Sequence, residues 1–374
     1  MPKHLARRSC RLLIGVALAL PCAQTRGQLL VLKQGAYQTA RKMQLKALPA
    51  EPDWAKIDAK PLFTFAWASD FHLSNHNIEI VRQAMHFVDA ELAPAFLMIT
   101  GDNNAIAEPS TPGGDAAAVP ERQQRFFKRF CEENLKTPCV VIPGDNWPRN
   151  FESVFGAFQF SFDYGGMHFL FTSLDRDMRL GEGLGVFDAA TWQWMRGDLK
   201  RNRQRPTLVM LHETVAPPTF FEAEKLQHLL EENANVIASF CGHLHVDLDV
   251  THRGVRYLIC PGLGVNPRHG LKHVLVYPHA LIIRTIEYNQ DRRRFERVNK
   301  WQYVSIAQPL RAALHRPEGP FVKANYTEIP PHPRRFDPTL KGRTAELLAG
   351  AIRYMGGRFS GANAKRPTAA ASGQ

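Results

Sequence analysis

Five places in the chain set a carboxylate or an imidazole just after a short apolar run. They are Asp70 and His72 in F-T-F-A-W-A-S-D-F-H-L, Asp102 after A-F-L-M-I-T-G, and Asp145 with Asn146 after C-V-V-I-P-G. His212 follows T-L-V-M-L, and His243 and His245 stand in C-G-H-L-H. Taken singly, each has an ordinary explanation, because strand-end Asp often caps a turn and a lone His is usually structural. Together, with Asn146 set aside, they give seven potential N/O donors of mixed imidazole and carboxylate character. That set suits Zn, Mn or Fe, and its size suits two ions sharing one carboxylate. The spacings D-x-H and H-x-H put each pair on one side of an extended chain.

Such residues need strands that end on a common edge. Phe63–Ala68, Ala95–Thr100 and Cys139–Ile142 read as strands buried on both faces, each ending near an Asp. Between them, Ile78–Leu92 and Pro120–Glu133 have helical apolar spacing, with Phe126, Phe127 and Phe130 facing inward. A repeated β-α-β pattern predicts right-handed crossovers and strand ends gathered on one edge, where ligands bind. Further on, Phe158–Tyr164 and Met167–Leu174 read as a hairpin across Gly165-Gly166, ending at Asp175. Asp188–Arg201 reads as a helix capped by Asp188, with Trp192, Met195 and Leu199 on one face. Thr207–Leu211 and Val236–Phe240 are apolar strands, and Val255–Cys260, Lys272–Tyr277 and Ala280–Glu287 are expected to close the fold with antiparallel strands.

The chain has 374 residues, 44% hydrophobic and 22% charged, which fits a globular protein with ample core. Its formal charge of +12 would point to nucleic acid if it were spread over the body. It is not. Lys3, Arg7, Arg8 and Arg11 lie within residues 1–23, and residues 309–374 hold eleven Lys/Arg against four Asp/Glu, so 12 − 4 − 7 leaves +1 between. No specific nucleic-acid partner is expected.

Residues 1–23 pair a basic start with the apolar run Leu12–Leu20 and small residues at Pro21–Ala23, a secretory signal pattern. Export to a periplasmic or extracellular space is therefore expected, with an uncleaved amino-terminal anchor as the alternative. Arg7-Arg8 loosely resembles a twin-arginine signal, and Cys22 follows a poor lipoprotein cleavage sequence. Residues 24–60, broken by Pro49 and Pro52, are expected to form an edge strand and a connection, ahead of a domain spanning 61–304. Residues 305–374 are rich in Pro and Arg and read as an extended basic tail, with one helix opening at Asp337-Pro338. That tail could contact an anionic surface. Cys131, Cys139, Cys241 and Cys260 match no zinc or redox spacing; Cys131–Cys139 or Cys241–Cys260 could pair, or all could be buried thiols.

The ordered motifs D-x-H (Asp70, His72), G-D (Gly101, Asp102), G-D-N-W (144–147), a strand-end His (His212) and G-H-x-H (Gly242, His243, His245) resemble the calcineurin-like metallophosphoesterases, over roughly Pro61–Tyr288. The resemblance implies a four-layer α/β/β/α sandwich with mixed sheets and a dinuclear metal centre. It implies that Asp70, His72 and His245 hold one ion, that His212 and His243 hold the other, and that Asp102 bridges. Hydrolysis of a small phosphoester by a metal-bridging hydroxide follows from the same resemblance.

One motif departs. Members of the family commonly read G-N-H-D/E, so Asp145 stands where a neutral Asn binds the second ion, and it could still ligate. Asn146 stands where a His protonates the leaving group, and an amide cannot do acid–base work near neutral pH. Some branches of the family read G-D-N-E-W, so the change resembles a subfamily trait. The alternative function is a metal-stabilised phosphate- or nucleotide-binding protein with little turnover. His76, Arg149 and Arg176 lie near motifs and could contact substrate.

Overall fold

The computed structural model describes residues 30–46, 60–110, 118–177, 182–265, 268–322 and 326–329, with isolated residues 346, 349 and 352–353. The expected signal, the start of the Asp337-Pro338 helix and most of the tail lie outside the described residues. No helix among the described residues is long and apolar enough to cross a membrane.

The first described element is a helix, α1 (residues 30–43), where an edge strand is expected from the sequence. Leu32, Ala36 and Ala40 recur every four residues and are fully buried while Gln34 and Gln38 between them are exposed, a pattern a helix gives and a strand does not. Next come β1 (Phe63–Ala68), α2 (Ile78–Phe87) running into a π-turn at Val88–Leu92, and β2 (Leu97–Thr100). They are followed by α3 (Val119–Asn134), β3 (Cys139–Ile142) and the short α4 (Phe151–Phe155). Pro120 opens α3 near its first position, where its missing N–H costs nothing.

The second half begins with the hairpin β4 (Phe160–Tyr164) and β5 (Met167–Phe171), then the small ribbon β6 (Asp175–Asp177) and β7 (Glu182–Val186). Helix α5 (Ala189–Arg201) starts where Asp188 accepts a hydrogen bond from Thr191 N, as its sequence implies. Then follow β8 (Thr207–Met210), α6 (Ala223–Glu232), β9 (Val236–Cys241), β10 (Leu248–His252) and β11 (Val255–Ile259). The chain continues through β12 (Gly270–Val276), β13 (Ala280–Asn289), β14 (Arg294–Ser305), α7 (Gln308–Arg311) and β15 (Thr327–Glu328).

Two sheets result. One has the order β14-β13-β12-β1-β2-β3, and the other β10-β11-β9-β8-β5-β4-β15. In the first, β1, β2 and β3 are parallel and β12, β13 and β14 close it antiparallel. In the second, β5, β8, β9 and β11 are parallel. Val255–Ile259 thus belongs to the second sheet and runs parallel to β9, not with the antiparallel closing strands as the sequence suggests. The sheets face each other across a core that includes Phe65, Trp67, Phe96, Phe169 and Phe240. Trp67 meets Phe240 edge-on at 4.5 Å, a geometry worth about 0.5–1.5 kcal/mol beyond burial. The outer face of the first sheet packs on α2 and α3 through Val81, Met85, Phe127 and Phe130, and that of the second on α5 and α6 through Trp192, Met195 and Leu226. The architecture is the four-layer α/β/β/α sandwich.

Residues past Ser305 extend this body. Ile306, Leu310 and Phe321 are buried with the inter-sheet core, Tyr326 stacks on Phe160 at 4.5 Å, and β15 pairs with β4. The described part of the expected tail is therefore packed through residue 329. All four described cysteines are free thiols, so neither disulfide forms. Cys241 Sγ lies 3.6 Å from Ser239 Oγ, and burial raises its thiol to about 12, with that hydrogen bond pulling the other way.

Candidate metal centre

Every candidate donor sits just past a strand end on one edge shared by the two sheets: Asp70 after β1, Asp102 after β2, Asp145 after β3, His212 after β8, and His243 and His245 after β9. Five of the seven are not presented by extended backbone. Asp70 (φ 52°), His72 (φ 37°), Asp102 (φ 50°), His243 (φ 70°) and His245 (φ 52°) are all left-handed, so the period-2 argument from the sequence does not describe how the pairs converge. The chain leaves β1, β2 and β9 and coils back, which Asp and His tolerate better than branched residues.

Close backbone approaches fix these turns. A Cβ on Gly144 would stand 2.1 Å from Asp102 Oδ1, and one on Gly242 would stand 1.8 Å from Ser69 Oγ and 2.6 Å from Asp70 Oδ2. Only glycine lets the strand ends come this near.

The donors form two groups. Asp102, Asp145, His212 and His243 make one, and Asp70, His72 and His245 the other, with the donor atoms of each group all within 4.8 Å of one another. In the first, His212 Nε2 lies 3.2 Å and His243 Nδ1 3.1 Å from Asp145 Oδ1, and the two ring nitrogens are 3.2 Å apart. In the second, His245 Nε2 lies 3.1 Å from Asp70 Oδ1, and His72 Nε2 lies 3.9 Å from the same oxygen. Asp102 Oδ2 is 3.4 Å from both His72 Nε2 and His212 Nε2, one from each group. That is the position a shared carboxylate would occupy.

The surrounding hydrogen bonds aim the donors inward. His212 Nδ1 lies 2.7 Å from Thr100 O, so the N–H sits on Nδ1 and the lone pair of Nε2 faces the centre. Asp70 accepts from His243 N at 3.1 and 3.0 Å, tying the first strand end to the last motif. His72 Nε2 is buried and without a hydrogen-bond partner while it faces two carboxylates. An orphaned imidazole nitrogen beside carboxylate oxygens is what a metal ligand presents. The donor set therefore fits a pair of metal ions.

Charge agrees. Burial would raise the Asp70 carboxyl, but attraction and a hydrogen bond from His245, with His212 and His72 nearby, hold it far below the usual range. Asp145 behaves alike: burial pushes up, and His243, His212 and Lys33 hold it well down. Burial lowers His72 despite Asp102 and Asp70, which favours a neutral imidazole. His212 and His245 are raised because Asp102 and Asp70 outweigh burial.

Asn146 does not sit free at the mouth. Its Nδ2 donates to Asp102 Oδ2 at 2.7 Å and its backbone N to Asp102 Oδ1 at 2.8 Å, so it clamps the shared carboxylate. His76 and Arg149 are exposed, and the side chain of Arg176 lies outside the described residues. One residue the sequence did not single out enters the site: Lys33 on α1 pairs with Asp145 Oδ2. The buried four-residue period of α1 is the only signal that could have placed it.

Among curated proteins none matches the chain. Of solved structures, a dimetal phosphatase from Danio rerio shares 12% identity with a TM-score of 0.51, covering 66% of this chain and 100% of its own. GAP50, the anchor in the inner membrane complex of Plasmodium, shares 10% identity with a TM-score of 0.44 over 64% of this chain and 89% of its own. Vps29 of Chaetomium thermophilum shares 7% identity with a TM-score of 0.38 over 66% of this chain and 98% of its own. The first supports the fold, and a model of the calcineurin-like phosphoesterases matches residues 63–247, where six of the seven donors follow five of the strands described above and His72 follows Asp70. Residues 63–247 belong to the calcineurin-like phosphoesterase family.

Proposed function

We propose that the protein is an exported, metal-dependent hydrolase of phosphoesters. The observation that carries this reading is the placement of Asp102 Oδ2, 3.4 Å from an imidazole of each donor group. Asp70, His72 and His245 would hold one ion and Asp145, His212 and His243 the other, with Asp102 shared. Mn, Zn or Fe ions held there would supply Lewis acidity to the phosphoryl oxygens and a nucleophile from water at neutral pH.

The chain's own residues do the rest. Thr100 O fixes the tautomer of His212, and Asp70 anchors the backbone that carries His243. Asn146 holds both oxygens of Asp102, so it acts through that carboxylate and donates no proton to a leaving group. Without such an acid, esters with good leaving groups and diesters are favoured over alkyl monoesters. Export rests on the basic and apolar pattern of residues 1–23.

The test is elemental analysis with hydrolysis of p-nitrophenyl phosphate and bis(p-nitrophenyl) phosphate after loading with Mn, Zn or Fe. About two ions per chain and turnover of either ester are expected. A protein replete in metal and inert toward both would refute the hydrolase. A second reading, a phosphate-binding protein without turnover, draws on the engagement of Asn146 with Asp102. It requires Asn146→His to create activity in an inactive protein; wild-type turnover that Asn146→His slows would exclude it.

A further inference from the structure

Helix α1 lies outside the family match, yet it is built onto the segment that carries two of the donors. Leu32, Ala36 and Ala40 are buried with Leu244, Val246 and Leu248, and Leu45 N donates to Asp247 O at 2.6 Å. In G-H-L-H-V the histidines turn toward the centre while Leu244 and Val246 turn toward α1, so one short segment joins helix and site. Lys33 follows the buried Leu32 and is 28% exposed, with its ammonium on Asp145 Oδ2. The two oxygens of Asp145 thus divide: Oδ1 faces His212 and His243, and Oδ2 faces Lys33.

Three carboxylates, Asp70, Asp102 and Asp145, gather at this edge. A phosphoryl group arriving there is anionic and is repelled by each. Lys33 brings a cation to the rim, and an ammonium carries three donors, of which Asp145 takes one.

We propose that Lys33 is a phosphoryl-binding residue of this centre, holding Asp145 with one N–H and offering the others to a phosphoryl oxygen. This rests on the metal-dependent phosphoesterase reading. Phosphate recognition by a charge-assisted hydrogen bond needs no particular ester, so the role extends to inorganic phosphate, the simplest phosphoryl ligand. It also makes α1 part of the functional unit, since a protein cut back to the matched segment would keep the metal donors and lose the cation.

The experiment uses the full chain loaded with Mn²⁺ and measures Mn²⁺ stoichiometry and the Kd for inorganic phosphate by calorimetry. Lys33→Met is expected to weaken phosphate about tenfold with Mn²⁺ stoichiometry unchanged, and Lys33→Arg by no more than about threefold. Lys33→Met combined with Asp145→Asn is expected to stay at least about threefold weaker than wild type for phosphate, because the N–H donors to the phosphoryl oxygen leave with the lysine whatever the charge at position 145. Full recovery in the double variant would overturn the proposal, because Lys33 would then act only by neutralising Asp145. Lys33→Gln repeats the measurement if Met disturbs the helix by circular dichroism. Phosphate binding by Lys33→Met or Lys33→Gln within about twofold of wild type, or loss in Lys33→Arg equal to that in Lys33→Met, overturns the proposal. Failure of the wild-type chain to hold two Mn²⁺ overturns the underlying reading instead.

Discussion

Replacing Gly144 by Ala tests the centre at its tightest point. The added Cβ would lie 2.1 Å from Asp102 Oδ1 and 2.2 Å from Asp102 N, where ordinary contacts are roughly 3.5 Å. The backbone nitrogen cannot swing away, so strand end and carboxylate must separate by about 1 Å or more. Metal coordination tolerates only about 0.2 Å. The same shift would break the 2.8 and 2.7 Å hydrogen bonds from Asn146 to Asp102. Loss of the shared ligand should weaken Mn²⁺ binding about 100-fold or more, while overpacking costs the metal-free fold only about 1–3 kcal/mol. The assays are bound Mn²⁺ per chain after dialysis and urea unfolding of the metal-free protein. Gly319→Ala is the control, since nothing lies within 4 Å of its Cβ position. A Gly144→Ala protein that holds two ions with wild-type affinity would refute the placement of Asp102 between the groups.

Asn146→Ala removes one charge-assisted hydrogen bond to Asp102, about 1.5–3 kcal/mol, and should weaken metal binding about 10- to 100-fold in a chelator competition. Because His212 and His245 are raised above 6.5 in the metal-free site, ions must displace protons from them. Metal affinity should therefore climb as pH rises through those raised values, and calorimetry in buffers of different ionisation enthalpy should detect the released protons. His168, buried between Asp163 at 2.7 Å and Asp198 at 2.6 Å, is raised above 6.5 because those partners outweigh burial, while Asp198, which burial would raise, is held below 3.8 by His168 and Arg201. The histidine's contribution is complete below pH 6.5 and fades as pH climbs through its raised value, and the carboxylate's fades as pH falls below 3.8. The unfolding free-energy gap between wild type and His168→Gln should therefore be widest between pH 3.8 and 6.5. Phe321→Ala should cost about 3–5 kcal/mol in urea unfolding, although its sequence context reads as tail, because its ring lies in the inter-sheet core 4.6 Å from Phe96.

The strand ends were readable because burial on both faces makes β1, β2, β8 and β9 near-continuous apolar runs that stop at an Asp, His or Gly. Asp188 named its own helix start for a similarly local reason. What the sequence hid was tertiary. Arg294–Ser305 (R-F-E-R-V-N-K-W-Q-Y-V-S) mixes charged, polar and apolar residues without regular alternation, a weak strand signal until β13 pairs with it. Phe321, beside an exposed Val322, follows a run of Pro, Gly and charged residues, and only the core beneath explains it. The donors themselves were legible as types and spacing, but the turn that gathers each pair was not, since alternation along an extended chain predicts the same convergence by a different path. Lys33 was invisible because its partner lies 112 residues away.

Five of the seven donors occupy left-handed backbone. That conformation admits Asp, Asn, His and Gly readily and penalises bulkier or branched side chains. Changing the element bound by trading a donor for Glu would thus meet a conformational barrier before any coordination preference was felt. Selectivity in this scaffold is adjustable chiefly from neighbouring side chains such as Asn146 and Lys33, which leave the coiled turns untouched.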